Sequence, residues 1–146
     1  MRAKIFGLGL AGLTLAAFAF TAAPASAETV SLKADLSAAS TVPANGSKGT
    51  GVAEVTYDSA SKMLAWTVTF SGLTGEATAA HFHGPADAGA NAGVAVPIKG
   101  TVSPIAGSAT VTDAQAAELL AGKWYVNVHT AANQNGEIRG QVLKAK

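Results

Sequence analysis

All three histidines of the chain fall in two short segments, Ala80-His81-Phe82-His83-Gly84 and Tyr125-Val126-Asn127-Val128-His129-Thr130. On a β-strand, positions i and i+2 face the same way, with Cα atoms roughly 6.5–7 Å apart. His81 and His83 would then present two imidazoles on one face, with Phe82 on the other. Two such rings can converge on one metal ion. If the strand carrying His129 lies alongside, it supplies a third nitrogen. Three neutral imidazoles suit copper or zinc and leave a coordination position open. The same spacing also serves two polar residues on a solvated face, or a hydrogen-bonded pair that pins a loop. Both readings stand at this point.

The neighbouring residues extend the picture. Gly84-Pro-Ala-Asp-Ala-Gly-Ala-Asn-Ala-Gly93 follows the histidine pair directly. It reads as a hairpin connection, and it lacks the GK[ST] ending of a phosphate loop. Its single acid, Asp87, is a candidate to accept an imidazole N–H from behind a metal ligand, or a solvated loop acid. Arg139 and Gln141 share one face of the last strand. An arginine near an open metal position would draw in small anions, and the competing role is a structural salt bridge to Glu137 or Asp87. Trp66, Trp124, Phe70 and Tyr125 read as core or boundary residues. No G-x-S-x-G elbow, carboxylate pair or dinucleotide fingerprint is present.

The elements that must position these residues are mostly strands. Val30, Leu32, Ala34 and Leu36 alternate with more polar neighbours, as do Leu64, Trp66, Val68 and Phe70. Further strands are expected over 51–57, 77–83, 94–98, 108–112, 123–129 and 137–143, with Pro97 marking 94–98 as an edge or a bulge. Thr112-Asp-Ala-Gln115 resembles a capping box, opening a helix over 114–121 that Gly122 stops. Seven or eight short strands with turns between them predict an all-β antiparallel Greek-key sandwich with one short connector helix.

Composition narrows the function further. Residues 1–27 read as a secretory signal peptide: Arg2 and Lys4, an apolar run from Ile5 to Ala23, then Ala25-Ser26-Ala27. Residues 28–146 would form the single mature domain. Removing two of the ten basic residues leaves eight against nine acids, a net charge of −1. That disfavours nucleic acid and polybasic membrane binding. The expected location is secreted or periplasmic, with no membrane contact after cleavage. With no cysteine, thiolate chemistry is excluded and packing alone must hold the fold.

Three segments carry a family resemblance: Ala79-Ala-His-Phe-His-Gly84, Leu120-Ala-Gly-Lys-Trp-Tyr-Val-Asn-Val-His-Thr130 and Asn135-Gly-Glu-Ile-Arg-Gly-Gln-Val142. Together they resemble the CHRD domain, a module named from chordin that also occurs as a stand-alone secreted bacterial protein. The likeness runs from Leu32 to Val142. It leaves room for a non-enzymatic adhesion or protein-binding module that engages an extracellular protein. A second likeness is to copper–zinc superoxide dismutases, also Greek-key sandwiches. It implies copper ligands at His81, His83 and His129 and an anion-guiding role for Arg139. The chain departs from that pattern in having no fourth, bridging histidine, no zinc subsite and no cysteine pair. The leading expectation is metal binding, copper favoured, with dismutase turnover the only enzymatic candidate.

Overall fold

The computed structural model describes residues 26–146. The signal-peptide reading of residues 1–27 therefore lies, but for its last two residues, outside the described part. Nine strands form: β1 (Thr29–Ser37), β2 (Thr50–Asp58), β3 (Met63–Ser71), β4 (Ala77–His83), β5 (Val94–Ile98), β6 (Ile105–Thr110), β7 (Tyr125–Thr130), β8 (Ile138–Gln141) and β9 (Leu143–Lys144). They make one antiparallel sheet in the order β5-β4-β7-β8-β1-β2-β3-β6, with β9 added beside β1. The sheet rolls into a flattened, nearly closed barrel, so that its halves pack as a sandwich. The edges β5 and β6 face each other across a cleft of about 370 Å³. The all-β Greek-key expectation holds.

The alternation in the sequence explains the core. Leu32, Ala34 and Leu36 of β1, Ala53, Val55 and Tyr57 of β2, and Leu64, Trp66 and Val68 of β3 all point inward and are buried. Phe82, Val126, Val128 and Ile138 close the core from the other half. Burying a side chain of this size contributes about 1.5–3 kcal/mol. Phe82 meets Trp66 edge-on at 5.2 Å between ring centres, so the residue between the two β4 histidines ties the site strand into the core.

Among the described residues there is one α-helix, α1 (Asp113–Leu120), and it begins where the capping box placed it. Thr112 Oγ1 accepts from the Gln115 backbone N–H, and Gln115 Oε1 accepts from the Thr112 N–H. Gly122 follows with φ +74°, a left-handed position that ends the helix. Two expectations shift. The strand expected over 108–112 starts earlier, at Ile105. The expected last strand divides after Gln141: the Val142 N–H donates to the Trp124 carbonyl, and Leu143 and Lys144 move over to Lys33 and Leu32.

Candidate metal centre

Strand pairing brings the two histidine segments together. β4 and β7 are antiparallel neighbours, with His81 opposite Asn127, His83 opposite Tyr125 and Ala79 opposite His129. β8 continues the rows, with Arg139 beside Asn127 and Gln141 beside Tyr125. Since Phe82, Val126, Val128 and Ile138 take the core face, His81, His83, Tyr125, Asn127, His129, Arg139 and Gln141 all share the outer face.

His81, His83 and His129 each offer one nitrogen there, and these three atoms lie within 4.8 Å of one another. One ion with bonds of about 2.0–2.1 Å needs nitrogens about 3.3–4.1 Å apart, so side-chain shifts of under about 1 Å close the set. The cluster could hold a metal ion. Its wiring favours ligation. His83 Nδ1–H donates to the Ala92 carbonyl at 3.0 Å, and His129 Nδ1–H donates to the Gln134 carbonyl at 2.8 Å. Each of these bonds fixes a tautomer in which Nε2 carries no proton. His129 Nε2 accepts from His81 Nδ1 at 3.2 Å. His83 Nε2 is buried with no partner. Burial, reinforced by the neighbouring imidazoles, holds the pKa of His81 below the usual histidine value. Burial does the same at His83 and outweighs the bond to Ala92, with further downward pushes from His129 and Arg139. Both shifts favour the neutral imidazole, the form that coordinates.

The loop 84–93 is more than a connection. It folds back over the outer face and is bonded there along its length. Gln141 Nε2 donates to the Ala86 carbonyl at 2.8 Å, Arg139 donates to the Ala90 carbonyl at 2.7 Å and to Asn91 Oδ1 at 3.0 Å, and the Ala92 N–H donates to the Tyr125 hydroxyl at 3.0 Å. The loop still joins an antiparallel hairpin, β4 to β5, as the hairpin reading expects, and it covers the outer face as well.

Arg139 and Asp87 also need correction. Arg139 is 1% exposed as a residue and its guanidinium is bonded by the loop, so an approaching anion meets the loop first. Nor does Arg139 form the alternative salt bridge: Asp87 pairs instead with Lys123, and Glu137 is held by hydroxyls and an amide. Asp87 supports no imidazole. The supporting acceptors are the backbone carbonyls of Ala92 and Gln134, which residue type cannot signal.

Tyr125 is 2% exposed, in keeping with a core or boundary residue, but it is buried beneath the loop and not in the main core cluster. Its ring lies on the outer face, parallel to His83 at 5.0 Å with 3° between the planes, and the Arg139 guanidinium carbon sits 3.5 Å from its centre. The two-residue period from His129 back to Tyr125 does carry that placement.

No helix among the described residues is long and apolar enough to cross a membrane. No curated protein and no solved structure matches the chain. The CHRD domain family does match, over residues 32–142, which takes in every strand of the site and both histidine segments. The protein therefore belongs to the CHRD domain family.

Proposed function

We propose that this CHRD-domain protein is a secreted copper-binding protein whose ligands are His81, His83 and His129. The observation that carries the reading is His83. Its Nδ1–H is committed to Ala92 while its Nε2 is buried without a donor, facing a cluster of two more imidazoles. A buried lone pair left unmet costs about 1–3 kcal/mol, and a metal ion meets it. An all-imidazole donor set fits copper, which also stands above zinc in intrinsic affinity for nitrogen sites.

Binding, rather than dismutase turnover, is the function proposed, because the arginine that would guide an anion is covered by the loop 84–93. Secretion rests on the Arg2/Lys4 start, the apolar run and the Ala25-Ser26-Ala27 pattern. N-terminal sequencing of exported protein should return Glu28 as the first residue.

Calorimetric titration with copper in each oxidation state tests the site. Wild type should bind one equivalent, and His83→Ala should weaken it at least about 100-fold through loss of a direct ligand. Millimolar binding by wild type, or equal binding by both proteins, would overturn the reading.

A further inference from the structure

Arg139 is a buried cation without an anion. Its bonds go to the Ala90 carbonyl at 2.7 Å, Asn91 Oδ1 at 3.0 Å and the Asp87 carbonyl at 3.4 Å, all neutral acceptors. Its position is fixed by the Tyr125 ring, which also stacks on His83. The two stacking distances put the guanidinium within about 9 Å of the His83 ring centre, close enough for unscreened charge to matter at a covered site.

The remaining charged groups nearby do not cancel it. The Asp87 carboxylate is exposed and taken by Lys123, and together they are neutral. Glu137 lies on the core side with Thr130, its two oxygens filled by Ser47, Thr74 and Thr130. The three histidines bring no negative charge. A divalent ion there would set two positive charges beside a third, with no anionic ligand to offset them. A monovalent ion halves that repulsion.

From this juxtaposition we infer that the three-histidine site is selective for the cuprous ion, and that Arg139 is the positioning residue that sets the selectivity through its uncompensated charge. The inference rests on the copper reading above. The Coulomb penalty falls on the second charge of Cu(II). One unit charge at about 9 Å in an effective dielectric of about 20 changes the ratio of the two affinities roughly twentyfold.

The test compares Cu(I) affinity, measured without oxygen, with Cu(II) affinity, each by competition against a chromophoric chelator. Wild type, Arg139→Gln, Arg139→Lys and Ala90→Asp are compared. Arg139→Gln should move the affinity ratio toward Cu(II) roughly twentyfold, while Arg139→Lys keeps the charge and should hold the ratio within about twofold. Ala90→Asp changes an exposed loop residue whose carbonyl accepts from Arg139. It places a carboxylate near the guanidinium without touching a ligand, and should move the ratio the same way by about threefold after solvent screening. This variant decides the matter if Arg139→Gln does not fold. An unchanged ratio in folded Arg139→Gln or in Ala90→Asp overturns the inference, as does a shift in Arg139→Lys equal to that of Arg139→Gln. If wild type binds neither ion, the copper reading fails first and the inference falls with it. If wild type binds both ions and the ratios do not move, only the inference fails.

Discussion

Glu137 and Arg139 stand two residues apart, are both buried, and carry opposite charges that never meet. Glu137 is an anion held only by donors: Ser47 Oγ, the Thr74 backbone N–H at 2.7 Å, Thr74 Oγ1 at 2.8 Å and Thr130 Oγ1 at 2.6 Å. Arg139 is a cation whose hydrogen bonds all go to acceptors on the loop 84–93, with the Tyr125 ring beneath it. Each fastens chain segments distant in sequence to the same short stretch. Glu137 joins the turns after η1 and β3, where η1 is the 3-10 turn Ala38–Ser40, to the end of β7. The difference lies in what surrounds them. Glu137 touches hydroxyls and an amide alone, so its charge is saturated and serves the fold. Arg139 shares an aromatic ring with a candidate ligand, so its charge reaches the site. Burial of a charge is the same in both; only the neighbours separate a structural lock from a tuning residue.

The strongest way to break this contrast is Glu137→Ala. It strands four donors, and should cost about 3–5 kcal/mol in denaturant unfolding while leaving copper affinity of the folded protein within about twofold. A large drop in affinity would show that the two charges are not separable.

Acid probes the same carboxylate without substitution. Burial alone would raise its pKa, but the bonds from Ser47, Thr130 and Thr74 outweigh that and bring it down to about 2 from the ordinary 4.5. A carboxylate with a depressed folded pKa contributes stability that is fully present above its unfolded value. That stability should drain away as pH falls from about 4.5 toward about 2. Unfolding midpoints across that window should decline more steeply for wild type than for Glu137→Gln, whose side chain does not titrate.

Gly136 sharpens the comparison from the hinge between β7 and the Glu137 segment. Its φ is +113°, and a Cβ there would run into the Asn127 carboxamide. Asn127 Nδ2 in turn donates to the Asn135 carbonyl, beside the Gln134 carbonyl that orients His129. Gly136→Ala should cost about 2 kcal/mol of stability. Unlike Glu137→Ala, it should also weaken copper binding several-fold, the order expected when a ligand's orienting contact is disturbed. The smallest effect belongs to Lys123→Ala, which removes an exposed ion pair to Asp87. It should change stability by under about 1 kcal/mol.

Much of the fold was legible because strands write their burial into the sequence with a period of two. The same period put His81 and His83 on one face, and the capping box opened the helix at Thr112. Pairing β4 with β7 could not be read, since it joins segments more than forty residues apart, and it alone decides that His129 arrives. The loop was opaque for a different reason. Its grip on Arg139, Gln141 and His83 uses the carbonyls of Ala86, Ala90 and Ala92, and every residue has a carbonyl. An arginine on an outer strand face therefore looked like an open charge, and only the covering loop makes it a buried one.

The unclosed seam of the barrel bears on how the molecule behaves in a crowd. A sheet that ends in two strands can recruit further copies at either end. Here β5 carries Pro97, which has no N–H to offer an incoming strand, whereas β6 carries no proline. A fibril needs each added copy to present one competent edge while pairing through the other. A chain with one impaired edge can form a pair through β6 but is a poor link in a longer series. The proline thus leaves the sheet with one edge less able than the other to take on a further strand.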